Sequence, residues 1–384
     1  MKINPTILVL ATEYSPNIVG GLGRHVSDIV AEGNKKGLKF IVVTTSSNEN
    51  ESYTFENGIH VYRLVPLQHP PRTFIDYILN VNFRFIQFVL YELKLSFDII
   101  HVHDWLTGIA GVELKTEIGK PLLATIHATE NGRMNSKTHF SNRIHSFETS
   151  LIEASDNIIV CSRYMENILI KEFNCTKDKL TLIPNGIIPK SYLPPILNVK
   201  LPFSNSPYLL GMGRLVKEKG FQYLLKAFSI FHKQFPEFRL IIAGEGPFHE
   251  ELVQLAYGLH IDKYVSFIGF VQEEKRNVLL HHCEMLVVPS LYEPFGIIAL
   301  EGMVAAKPIV SFQIGGLAEI LNDSRGILVK DTSSRSLADT ICDYFSEPQK
   351  YNAIVQKGFY AANTIYNLSY LIEETILLYK KLAK

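Results

Sequence analysis

Tyr208-Leu209-Leu210-Gly211-Met212-Gly213-Arg214-Leu215-Val216-Lys217-Glu218-Lys219-Gly220 reads as a buried apolar strand, a glycine-bounded loop with cations, and a helix start. The helical pattern continues over residues 221–235. Immediately upstream, Pro184, Pro189, Pro194, Pro195, Pro202 and Pro207 fall in a stretch with little periodicity, the composition of a linker. After it, strand–helix alternation begins afresh. Apolar runs at 208–212, 239–243, 265–268, 285–288, 308–311 and 326–329 have strand length, and longer amphipathic stretches lie between them. The same alternation precedes the linker, with strands expected at 6–11, 39–44, 98–102, 122–126, 157–161 and 180–183. Asn57-Gly58 inside the run 53–65 signals a tight hairpin. Such alternation predicts parallel sheets covered by helices on both faces. The expected fold class is α/β, with two doubly wound, Rossmann-like domains facing a cleft. Their expected spans are 1–190 and 191–366. An amphipathic helix over 367–384 either caps the second domain or crosses back to the first.

The bulk properties narrow the function classes. At 384 residues the chain exceeds one ordinary core, so two domains are the default. A hydrophobic content of 47% excludes a disordered chain, and a net charge of zero argues against nucleic acid as a main partner. Cys161, Cys175, Cys283 and Cys342 form no C-x-x-C pair, so neither a zinc ribbon nor a disulfide framework is suggested. Residues 7–10 are too short an apolar run for a signal peptide or membrane span, and a cytoplasmic location is expected.

Ligands in doubly wound sheets sit at the carboxyl ends of strands, so the strand-end loops hold the candidate site. Arg214 and Lys219 stand five apart on one such loop and together suit a departing diphosphate; a solvated loop would also carry them. Glu293 and Glu301 stand eight apart in Glu293-Pro294-Phe295-Gly296-Ile297-Ile298-Ala299-Leu300-Glu301. Pro294 fits a helix start. Phe295, Gly296, Ile297 and Ile298 then offer backbone amides at a positive helix end, a place for phosphate. Eight helical residues are about two turns, putting Glu301 below that end on a similar face. One acid near a sugar, amides at a diphosphate and one acid near ribose hydroxyls would fit a nucleotide-sugar. In the first half, Gly20-Gly21-Leu22-Gly23 leads into a helix expected over 24–36, where Gly21 could approach a phosphate or simply make a turn. Gly244 sits in a short strand-end turn, and Phe270 could stack on a base or fill core. The backbone of Gly315-Gly316 could face a sugar.

His101, His103, Asp104 and Trp105 lie at the end of one strand, and His127 at the end of another. His127 is the stronger functional candidate, being followed by Glu130 and Arg133. His101 and His103 are read as lying on opposite faces of their strand, which leaves no converging metal ligands. There is no D-x-D triplet to hold a diphosphate through a cation, so neither metal nor cofactor is expected. Residues 74–95 are rich in Phe, Tyr, Ile and Leu but lack a basic face. A core helix is expected there, rather than a membrane dock.

Taken in order, Gly213-Arg214 with Lys219-Gly220, the Glu293 and Glu301 pair, His101-Val102-His103-Asp104-Trp105, Thr125-Ile126-His127 and Asn185-Gly186 resemble the retaining glycosyltransferases of family 4. These have the GT-B fold, and bacterial glycogen synthases are among their relatives. The likeness covers nearly the whole chain. It implies that Arg214 and Lys219 bind the donor diphosphate, that Glu293 sits by the transferred sugar and Glu301 by the ribose, and that Gly21 approaches the phosphate. It implies also that His127 hydrogen-bonds the donor sugar and that Asp104 and Trp105 lie on the acceptor side. Three departures stand out. Ile18 replaces the lysine that precedes the glycines in glycogen synthases, Ile188 replaces an aspartate after Asn185-Gly186-Ile187, and Ala318 replaces a proline after Gly315-Gly316-Leu317.

The resemblance implies a nucleoside diphosphate sugar as donor and a saccharide as acceptor. Rival readings are transfer to a lipid-linked or cell-surface acceptor, a nucleotide-sugar-binding protein without turnover, and an epimerase or phosphorylase on the same fold.

Overall fold

A computed structural model describes residues 4–18, 20–67, 71–133, 138–192 and 206–384. The chain forms two compact units, one of Met1–Gly186 with Leu368–Lys384 and the other of Ile187–Asn367. Pro194, Pro195 and Pro202 of the expected linker lie outside the described residues.

The first unit is built on β1 (Thr6–Leu10), β2 (Lys39–Thr45), β3 (Ser52–Glu56), β4 (Ile59–Leu64), β5 (Ile99–His103), β6 (Leu122–Ile126), β7 (Asn157–Val160) and β8 (Leu180–Leu182). They form one sheet in the order β3-β4-β2-β1-β5-β6-β7-β8. All neighbours are parallel except β3, which folds back on β4. The turn is the Asn57-Gly58 signal itself: both residues have positive φ, 53° and 83°, as a twist-matched two-residue hairpin requires.

The second unit holds β9 (Tyr208–Met212), β10 (Arg239–Ala243), β11 (Val265–Phe267), β12 (Met285–Val288), β13 (Ile309–Phe312) and β14 (Ile327–Val329). The order is β11-β10-β9-β12-β13-β14, parallel throughout. The strands read from apolar runs begin and end within one residue of expectation. In the central strands, continuous burial on both faces makes the run itself the signal, while the edge strands β8 and β11 are largely half-buried. The chain steps from β9 to β10 and β11 on one side and from β12 to β13 and β14 on the other, so the loops after β9 and β12 sit at the switch point where such sheets bind ligands.

The last helix, Leu368–Leu382, packs in the first unit. Tyr379 Oη lies 2.7 Å from His101 Nδ1, Ser369 Oγ donates to Glu32 at 3.0 Å, and Lys36 pairs with Glu373 at 2.6 Å. Tyr379 and His101 are both fully buried, and the other imidazole nitrogen of His101 lies 2.8 Å from Thr125 Oγ1. Tyr379→Phe therefore leaves a buried nitrogen unpaired. It is expected to cost about 1–3 kcal/mol, read as a lowered urea midpoint at unchanged slope.

The 74–95 stretch is a helix, Phe74–Gln87, capped by Thr73 Oγ1 accepting from Asp76 N, followed by a π-turn over Phe88–Glu92. Ile75, Ile78, Val81 and Phe85 are buried, whereas Phe74, Phe83 and Tyr91 are exposed. The core-helix expectation thus describes one face only. Among the described residues no helix is long and apolar enough to cross a membrane.

Candidate active site

In the second unit the loops after β9 and β12 are pressed together. Leu291 N donates to Glu218 O at 2.7 Å, and Gly220 lies so close to Pro289 that an added Cβ would fall 1.8 Å from the proline carbonyl oxygen. Gly220 also has φ +70°. The consequence is chemical: Lys219 reaches across and its Nζ sits 2.5 Å from Glu293 Oε2. Ser290 Oγ donates to the same oxygen at 3.3 Å, and the backbone oxygen of Glu293 accepts from Gly316 N at 2.9 Å. The loop after β13 thereby locks the loop after β12. Lys219 and Glu293, 74 residues apart in sequence, form one charge pair at the switch point.

Arg214 stands nearby in sequence on the same loop. Its guanidinium is largely exposed, with one nitrogen 3.5 Å from Glu218 Oε1. A surface pair at that distance holds the side chain weakly and leaves it able to meet an anion.

The carboxylate-bearing helix begins later than its sequence suggests. It runs Ile297–Val304, with Gly296 at φ +106° before it. Pro294 is therefore loop, not helix start, because the left-handed Gly296 intervenes. The amides at the helix end are those of Ile297 and Ile298, both partly exposed. Phe295 is buried, with its ring edge-on to Tyr366. Glu301 lies one turn into the helix rather than two, is 5% exposed, and has Arg276 Nη1 3.3 Å from its Oε1. Arg276, on the helix Glu273–His282, was not legible as a site residue; nothing local in Glu273-Glu274-Lys275-Arg276 separates it from a solvated charge run.

Gly244 is accounted for by packing. Its φ is +138°, and a Cβ would fall 1.9 Å from Gly213 O, so the loops after β9 and β10 touch backbone to backbone. Phe270 is half-exposed, its amide donating to Glu245 Oε1 at 3.2 Å. A ring on the surface leaves the core-filling alternative unsupported.

In the first unit the helix after β1 spans Gly21–Lys35, so Gly21 is its first residue and not a loop position. Glu13 Oε2 accepts from Gly20 N at 3.0 Å, placing a carboxylate at the very helix end expected to take phosphate. Asp104, expected on the acceptor side, is 4% exposed; its Oδ1 accepts from His127 N at 2.6 Å, tying the ends of β5 and β6 together. Trp105 needs a correction. It is buried against Ile75, Ile78 and Ile144 and stacks on Phe147, so its ring packs as core rather than lying open to a ligand.

The histidines need a second correction. Residues i and i+2 of a strand share a face, and the rings of His101 and His103 are 4.4 Å apart, not on opposite sides. His103 Nδ1 lies 3.2 Å from His127 Nε2, and the His25 ring meets His127 edge-on at 4.7 Å. Burial and the neighbouring imidazoles hold His25 and His103 well below the usual histidine range, and His101 is lowered to about 3. All three are neutral at physiological pH. One ring nitrogen from each of His25, His103 and His127 lies within 4.8 Å of the others. His25 carries no sequence signal beyond its place in the first turns after a glycine loop. Glu130 N donates to Glu148 Oε1 at 2.8 Å, and the side chain of Arg133 lies outside the described residues.

Two family models match the chain, "Glycosyltransferase Family 4" over residues 19–190 and "Glycosyl transferases group 1" over residues 196–359. An uncharacterized glycosyltransferase of Methanocaldococcus jannaschii is 31% identical, with 97% of each chain covered. The chain belongs to glycosyltransferase family 4. Within this family, a glycogen synthase of Mycobacterium tuberculosis is 29% identical over 89% of this chain and 86% of its own. Among solved structures, a sucrose-phosphate synthase from Thermosynechococcus elongatus superposes with a TM-score of 0.84 at 22% identity, covering 98% of this chain and 99% of its own. Anabaena HepE in complex with UDP-glucose gives 0.76 at 20% identity, over 97% and 98%. The two parallel-sheet α/β units of this family 4 glycosyltransferase are those of the GT-B fold.

Proposed function

We propose that this glycosyltransferase moves a hexose, glucose in the first instance, from a nucleoside diphosphate sugar to a glucan or other saccharide hydroxyl. Configuration is retained and no cation is needed. The observation that carries the reading is the Lys219–Glu293 pair, set by the loops after β9 and β12 and followed at once by the helix end at Ile297 and Ile298. A diphosphate needs donors that favour charge as the sugar bond breaks. Lys219 and Arg214 supply it as side chains, and the Ile297 and Ile298 amides supply it as backbone. Glu293, held by Ser290 and Lys219, takes the hydroxyls of the sugar. Glu301 takes the ribose, sharing its carboxylate with Arg276. His127 hydrogen-bonds the donor sugar. The acceptor hydroxyl attacks from the face the diphosphate leaves. Its proton passes to the departing phosphate oxygen, so no covalent sugar intermediate is required. The glycogen synthase relative and the UDP-glucose complex of Anabaena HepE support both donor class and sugar.

Calorimetry of the purified protein with UDP-, ADP- and GDP-sugars in metal-free buffer tests this. At least one donor is expected to bind with dissociation in the micromolar to millimolar range usual for enzyme substrates. Release of nucleoside diphosphate should then require an oligosaccharide from a panel of acceptors. Silence from every donor with folded protein would refute the reading.

A further inference from the structure

We propose that His25, His103 and His127 form a binding site for one divalent transition-metal ion of the zinc class. Three elements bring them together. His25 lies on the helix after β1, His103 ends β5, and His127 follows β6. Because β1, β5 and β6 are neighbours in the sheet, their carboxyl ends deliver three imidazoles to one place. One ring nitrogen of each lies within 4.8 Å of the other two. Two nitrogens on one tetrahedral zinc, each about 2.0–2.1 Å from it, stand roughly 3.3 Å apart. His103 Nδ1 and His127 Nε2 are already 3.2 Å apart. The His25 nitrogen, within 4.8 Å of both, completes the set.

Two further observations point to a ligand. His25 is 7% exposed, and its Nε2 is buried without a hydrogen-bond partner among the described residues, a costly state for a polar nitrogen unless something fills it. The His25 ring presents itself edge-on to both His103 and His127. The cluster also excludes His101 cleanly, since both of its nitrogens are engaged by Tyr379 and Thr125. An all-imidazole set suits zinc, copper, nickel or iron rather than magnesium or calcium. Three protein nitrogens leave a tetrahedral ion one open position.

A consequence rests on the functional reading above. Metal on His127 withdraws its imidazole from the donor sugar, so the ion inhibits transfer and a chelator restores it.

The binding test does not use activity. Equilibrium dialysis of the full chain against Zn²⁺ is expected to give one ion per chain. Zn²⁺ should raise the melting temperature, because it binds the folded state. His25→Gln and His103→Gln should each weaken binding by more than about 100-fold, the upper range seen for mere supporting groups. Should either variant fold poorly, X-ray absorption at the zinc edge of the unaltered protein decides. A nitrogen shell at about 2.0–2.1 Å with imidazole scattering is expected. Absence of bound Zn²⁺ in folded protein, a sulfur shell, or unchanged affinity in both folded variants overturns the proposal. Stoichiometric zinc with undiminished transfer would instead remove His127 from the chemistry and leave the metal site standing.

Discussion

Lys219→Ala is expected to lower kcat/KM for the donor by about 10²–10³-fold, the range for losing one preorganised donor to developing charge. The ammonium is anchored at 2.5 Å by Glu293 and sits on a 3₁₀ turn, Lys217–Lys219, so its position is fixed before any donor arrives. Fixed charge costs no reorganisation when the sugar–phosphate bond breaks, which is why removing it should strike turnover. Stability should change less than turnover, because the Lys219 side chain keeps partial solvent contact and the buried Glu293 carboxylate keeps its hydrogen bond from Ser290. Glu293→Ala is expected to be at least as damaging to turnover, since it removes the sugar contact and releases the lysine together. Steady-state assay of released nucleoside diphosphate, alongside circular dichroism of each variant, reads both effects. Full turnover by both folded variants would show that the pair is structural.

Gly220→Ala should strongly destabilise the second unit, costing about 3–5 kcal/mol. Two penalties combine. The residue holds φ +70°, a region that alone costs a side chain about 1–3 kcal/mol. An added methyl would also lie 1.8 Å from Pro289 O, and backbone cannot move aside as a flexible side chain can. Gly119 provides the comparison. It caps its helix at φ +72°, and a methyl added there would meet nothing within 4 Å, so Gly119→Ala should carry the conformational penalty alone. Denaturant unfolding followed by a probe in each unit separates the two, since a two-unit chain need not unfold in one step. A Gly220→Ala protein within about 1 kcal/mol of its parent, the ordinary spread for point substitutions, would contradict the close approach on which the Lys219–Glu293 geometry depends.

The strands, the hairpin and the doubly wound pattern were all legible from local stretches of chain. Parallel strands covered on both faces are continuous apolar runs, and Asn57-Gly58 fixes its turn through backbone conformations few other residues accept. These are properties of a window of ten residues. The same local reading placed Arg214, Lys219 and Glu293 at strand ends, because charge beside glycine after an apolar run marks a loop at the sheet's edge, and it placed Glu301 on the helix that follows. Which of these groups meet was settled only by packing. Lys219 pairs with Glu293 because Gly220 lets one loop lie on another. Glu301 meets Arg276 from a helix with no distinguishing sequence mark. Trp105 went into the core because neighbouring helices supply an apolar bed, and the imidazoles of His25, His103 and His127 converged because sheet order brought three distant segments together. Contacts across tens of residues depend on the register and order of strands. Neither is written in any single stretch of chain.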